Sequence, residues 1–194
     1  MATEPLGRRI EAVVIGGSAG AVEALSVLLP ALPDAFPAAV FIVLHVPRNR
    51  PSVLVDVFAS KCALPVREAE DKSPIEPGTV YFAPPDYHLL LDEGRQLALS
   101  ADEPVNLSRP SIDVLLESAA DLYGPALLGI ILSGASADGA AGLAAVKAAG
   151  GLTVVQEPRS AALPLMTTAA LERTAVDFAL PLDQIAVLLK RIAI

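Results

Sequence analysis

Positive charge is scarce in this chain of 194 residues: 14 lysines and arginines stand against 22 acidic residues, a formal charge of -8. Binding to a phosphate backbone needs a broad cationic field, so nucleic acid is not an expected partner. Cysteine is limited to Cys62, which has no partner for a disulfide within the chain. In VFASKCAL it reads as a small, half-buried apolar residue, and nothing points to an oxidising compartment. Long apolar runs are missing as well. ALLGIIL at 126–132 is among the longest, far short of the ~20 residues that span a bilayer. The start, MATEPLGRRIEAVV, has two arginines but no apolar segment ahead of them of the kind a secretory signal carries. A cytoplasmic protein without membrane insertion is the expectation. Aromatic residues make up only 4% of a chain that is 53% hydrophobic, so the core must be aliphatic, and the length suits one domain.

What is present is a regular alternation. VVI at 13–15, VFIV at 40–43, LLGIIL at 127–132 and LTVV at 152–155 are short apolar runs without polar alternation, as buried strands are. Between them lie helical patterns: AVEALSVLLPAL, SVLVDVFASKC, SIDVLLESAADLYG with its terminal glycine stop, GAAGLAAVKAAG, and PLDQIAVLLKRIAI. The last carries Asp183 near its start and Lys190 and Arg191 near its end, complementing the helix dipole. Strand followed by helix, repeated, predicts an α/β fold: a doubly wound, mainly parallel sheet with helices on both faces. Residues 64–108 break this rhythm with proline- and glycine-marked turns and a hairpin pattern about Glu93-Gly94, so an antiparallel insertion or a sheet edge is expected there. No repeat, low-complexity run or flexible linker divides the chain.

The chemistry begins at Gly16-Gly17-Ser18-Ala19-Gly20, placed between a strand and a helix. The G-x-S-x-G spacing fits a nucleophile elbow, whose glycines permit the tight turn and whose following helix offers N–H groups to an oxyanion. It also fits a serine cap of the helix, or an anion-binding loop, although the Walker lysine and the third glycine of a dinucleotide fingerprint are missing. A nucleophilic serine needs a base, and the chain has only two histidines. His45 ends the strand VFIVLH, at the same sheet edge as Ser18, where sites form in open α/β sheets. His88 lies in the predicted insertion. A carboxylate at that edge would orient the imidazole, and Asp138, in LSGASADGAAG after another strand, qualifies. Its alternative reading is an N-cap of the helix that follows.

These segments, GGSAGAVEAL, LHVPRNRPSVLVDVFA, VREAEDKSPIEPGTVYFAPPDYHLLL, RPSIDVLLESAA and LSGASADGAAGLAAVKAAGG, occur in the order found in the chemotaxis protein-glutamate methylesterase family, CheB, whose catalytic domain the chain resembles from about residue 10 onward. The resemblance implies a Ser-His-Asp triad at Ser18, His45 and Asp138 that hydrolyses glutamate γ-methyl esters on the cytoplasmic helices of chemoreceptors, or deamidates glutamine, with no cofactor and no metal. It further implies oxyanion or substrate contacts at Ala19, Ala135 and Arg109. The chain departs from the usual family pattern in three places: threonine commonly stands at position 19, glycine at 21 and methionine at 135. On this reading residues 1–194 form a single catalytic domain without the receiver domain that chemotaxis members carry. A catalytically silent interaction or anion-binding module is the alternative.

Overall fold

A computed structural model describes residues 7–46 and 52–193. Residues 47–51, which carry part of the LHVPRNRPSVLV motif, and Ile194 at the end of the last predicted helix lie outside the described residues. The apolar run after Glu11 becomes β1 (Ala12–Gly17), and the next such run becomes β2 (Ala39–Leu44); both are buried throughout. The later runs form β7 (Leu127–Ile131) and β8 (Leu152–Gln156), also buried along their length. Three shorter strands, β3 (Val66–Glu68), β4 (Val80–Phe82) and β9 (Phe178–Leu180), complete a seven-stranded sheet of order β3-β4-β2-β1-β7-β8-β9. Every neighbouring pair in it is parallel.

Successive strand residues point to opposite faces, so each central strand feeds two cores. Val13, Ile15, Val40, Ile42, Leu128 and Ile130 pack beneath α1 (Ala21–Leu28), α2 (Leu54–Ala59) and α6 (Leu182–Lys190). Val14, Phe41, Val43 and Ile131 pack beneath α3 (Ile112–Tyr123), α4 (Ala140–Ala148) and α5 (Leu165–Arg173). That two-sided burial is why the strands read as continuous apolar runs rather than alternating ones. Residues 64–108 take both predicted forms: β3 and β4 make one edge of the main sheet, while β5 (His88–Asp92) and β6 (Gln96–Ser100) pair antiparallel around the expected turn. The hairpin buries Leu89, Leu91 and Leu97 in the second core, and the Leu91 N–H donates to Ser118 Oγ on α3 at 3.1 Å.

From β1 the chain fills one side with β2, then β3 at the edge and β4 between them, and crosses β1 to build β7, β8 and β9 outward on the other. The reversal lies between β1 and β7. In doubly wound sheets the loops diverge at such a point and leave a crevice at the carboxyl ends of the strands.

Candidate active site

Ser18 stands one residue beyond β1 at that crevice. Its N–H donates to Ser133 O, just beyond β7, at 2.9 Å, and the His45 N–H, just beyond β2, donates to Gly17 O at 3.2 Å. The register pairs Gly17 with Leu44, so Ser18 and His45 leave neighbouring strands at the same level. The turn into α1 needs glycine at position 20, which has φ 83° and where a Cβ would also meet Ala162 Cβ at 2.7 Å. The cap of α1 is this glycine, with no side-chain cap bond. The cap position of α1 therefore falls on Gly20 and not on Ser18.

His45 is brought together with Asp138: Nε2 lies 2.8 Å from Asp138 Oδ2, across the end of β1 where Ser18 sits. Asp138 is fully buried. It does not cap α4, whose N-cap is Gly139 with φ 95°. It caps α3 instead. The Ile112 N–H donates to Oδ2 at 2.6 Å, the Asp113 N–H to Oδ1 at 3.2 Å, and Ser111 Oγ to Oδ1 at 2.8 Å. Asn106 Nδ2 donates to the same Oδ1 at 2.8 Å. Burial by itself pushes this carboxyl up, but the donors from His45, Asn106, Ile112 and Ser111 outweigh it and hold it below the ordinary carboxylate range. An ionised Asp138 accepts only, so the Nε2 that faces it carries a proton, and Nδ1 is the ring nitrogen turned away from the carboxylate. Chymotrypsin-type triads have the two ring nitrogens the other way round.

His88 is not at this centre. It is buried in β5, where Nδ1 accepts the Ser111 N–H and Nε2 pairs with Glu103 O, both at 3.1 Å. It thus supports, from behind, a residue that holds Asp138. Arg109 lines a recess of about 90 Å³ with His45, Val46 and Leu107. Its guanidinium is spent within the protein: Nε and Nη2 donate to Asp86 Oδ1 at 3.1 and 2.7 Å, and Nη1 to the carbonyls of Ala101 and Asp102 at 2.7 and 2.9 Å. Ala19 is exposed in the turn after Ser18, and Ala135 is exposed in the loop after β7. A Cβ added at the neighbouring Gly134 would sit 3.0 Å from Ser18 Cβ, so this loop runs against the serine. Beyond it an apolar cavity of about 610 Å³ opens between Ala135, Ala137 and the start of α5, with Leu163, Leu165 and Ala169 in its wall. Among the described residues no group of three or more His, Cys, Asp or Glu side chains is arranged to hold a metal ion, and no helix is long and apolar enough to cross a membrane.

Asn106, Ser111 and Asp113 escape sequence reasoning, although they flank Arg109. Their one local signal is the polar start of the α3 pattern, which any exposed helix start would also give.

Known proteins agree with this architecture. The family model described as CheB methylesterase matches residues 13–189. A protein of Leptospira interrogans is 44% identical over 182 residues, covering 94% of each chain. A protein-glutamate methylesterase/protein-glutamine glutaminase of Anaeromyxobacter dehalogenans is 42% identical over 177 residues, which are 91% of this chain and 52% of that protein. The catalytic domain of the Thermotoga maritima CheB methylesterase, a crystal structure, superposes with a TM-score of 0.90 at 32% identity, covering 95% of this chain and all of that one. Because the match spans the strands that carry Ser18, His45 and the Asp138 loop alike, the chain belongs to the CheB methylesterase family.

Proposed function

We propose that this chain is a serine esterase that removes methyl groups from glutamate side chains on the cytoplasmic helices of chemoreceptors or a related signalling protein. The observation that carries this reading is the 2.8 Å contact of His45 Nε2 with the buried Asp138, spanning the strand end that bears Ser18. His45 Nδ1 takes the Ser18 proton as Oγ attacks the ester carbonyl. The tetrahedral oxyanion is received by backbone N–H groups of the Ala19 turn and the Ala135 loop, each worth about 3 kcal/mol if preorganised. The Ser18 N–H is already bonded to Ser133 O, so it is not among the donors. His45 returns its proton to the leaving methoxide, methanol departs, and water activated by the same nitrogen hydrolyses the γ-glutamyl ester of Ser18. Asp138 keeps the proton of His45 on Nε2 and offsets its transient charge. A glutamine side chain reaches the same acyl-enzyme with ammonia as leaving group, in keeping with the double name of the relatives. Backbone donors serve at positions 19 and 135 whatever the side chain, so alanine at both is compatible with this chemistry.

Methanol release from a methylated receptor helix tests the reading. Ser18→Ala and His45→Ala are each expected to lose on the order of 10⁴-fold or more in turnover, and the double variant little beyond that, because the two act in one step. Binding of the methylated helix without methanol release by the unmodified protein would overturn it.

A further inference from the structure

Two buried carboxylates meet behind His45, and one amide stands between them. Asn106 Nδ2 donates one hydrogen to Asp138 Oδ1 at 2.8 Å and the other to Asp113 Oδ2 at 2.7 Å. Only the NH₂ end of an amide can face two carboxylates, so the orientation is fixed by chemistry. The helices exchange acids here. Asp138, ahead of α4, takes N–H groups of α3, while Asp113, in α3, takes the Gly142 N–H of α4 at 2.6 Å. Asn106 reaches both from a two-residue turn closed by reciprocal backbone bonds between Val105 and Ser108, at 3.1 and 2.9 Å. Both central residues are left-handed, Asn106 at φ 51° and Leu107 at φ 63°, a conformation asparagine tolerates. Asn106 is exposed as a residue, yet the turn directs its amide inward.

We propose that Asn106 and Asp113 are positioning residues for the esterase centre: Asn106 saturates Oδ1 of Asp138 so that Oδ2 stays aimed at His45, and Asp113 anchors Asn106 in that pose. With Oδ1 taken by Asn106, Ser111 and the Asp113 N–H, the carboxylate has no reason to rotate away from the imidazole. Asp113 also places a second acid behind the pair. Burial first, and then the neighbouring charge of Asp138, push its carboxyl above the ordinary range, while the Gly142 and Asn106 donors partly restrain it. Among the described residues, the ionisable groups near this centre include His45 itself, His88 behind Ser111, Arg109 with Asp86 across the recess, and Glu117 one turn along α3, which burial and the charges of Asp113, Asp121 and Asp138 push up.

This inference rests on Ser18 being the nucleophile, and its test avoids the methyl ester so that the two can fail separately. The readout is the second-order rate of Ser18 labelling by a fluorophosphonate, which reports activation of the hydroxyl whatever the natural substrate. Asn106→Gly keeps a backbone suited to φ 51° and removes only the amide. Asp113→Asn would set an NH₂ group against that of Asn106 or against the Gly142 N–H. Each variant is expected to label about 10- to 100-fold more slowly, the range that loss of a hydrogen bond to a charged group gives. The double variant should be no slower than the worse single, because the pair works as one unit. Asn106→Gly should lose this in the maximal rate at saturating probe while half-saturation stays near the parent value, and the loss should persist at temperatures well below the melting transition, where the variant is fully folded, a split that a purely structural role would not give. Labelling by Asn106→Gly within twofold of the parent, or losses that multiply in the double variant, would overturn the proposal. If Asp113→Asn does not fold, Asn106→Gly decides alone.

Discussion

Asp138 does two things with one carboxylate, and a single ionisation serves both. It orients His45, and it caps the first turn of α3. Its folded pKa is lowered although burial opposes this, so ionisation favours the native state. The sign follows. A group with a depressed pKa contributes stability that is fully present above its unfolded value, here an ordinary carboxylate value of 3.8, and loses it as pH falls through the folded value. Asp138→Asn should therefore melt well below the parent at about pH 7, with the gap closing as pH drops below about 4. Turnover should fall on the order of 10⁴-fold at neutral pH, because the amide no longer enforces the Nε2–H tautomer. Melting curves of both proteins across that range are the check. A gap of constant size would mean that the charge of Asp138 does not contribute to stability.

The α3 and α4 helices work as a pair because they approach closely at Gly142. A Cβ there would lie 2.6 Å from Leu116 Cβ and 3.0 Å from the backbone Cα and O of Asp113. Backbone cannot swing aside as a side-chain tip can, so Gly142→Ala must push the helices apart at the point where the Gly142 N–H meets Asp113. The expected cost is about 1–3 kcal/mol, seen as a melting temperature lower by about 2–4 °C for each kcal/mol. Serine labelling should slow as well, since α3 carries the Ser111, Ile112 and Asp113 donors that hold Asp138. Unchanged melting and labelling would show that the contact yields easily. Elsewhere the apolar face of α6 and the even burial of β1, β2 and β7 follow directly from sequence period. The three-residue strands β3, β4 and β9 were not legible in that way, because a period needs more than one repeat to register.

The whole molecule carries a net charge of -8, and the methyl-accepting helix proposed as its substrate, with free glutamates, would itself be acidic. Their approach is repulsive at low ionic strength, over a screening length of ~30 Å at 0.01 M that shrinks to ~8 Å at physiological salt. For an acidic methylated helix kcat/KM should rise with added salt across that range, while a basic peptide of the same length should show the reverse and kcat should be constant for both. Steady-state kinetics at the two salt levels suffice. An acidic helix that binds worse as salt is added would mean that the face around the 610 Å³ cavity and the His45 recess presents a local positive field against the overall charge.

Sequence alone determined the parallel α/β architecture, because strands buried on both faces must be apolar throughout and helices buried on one face must be periodic. It also brought Ser18, His45 and Asp138 to one edge of the sheet, because the loops that follow parallel strands all leave from the carboxyl edge. Where the carboxylate of Asp138 turns was decided by the tertiary structure. Local pattern makes an aspartate ahead of a helix the cap of that helix, whereas Asp138 caps a helix start 25 and 26 residues earlier in the chain. The same holds for Asn106, which lies 32 residues from Asp138 and meets it through a turn that has no apolar period. Donors that far apart leave no trace in composition or spacing. They come together only when the packing of α3 against α4 closes the gap, and it is the need of a buried carboxylate for several donors at once that selects the final arrangement.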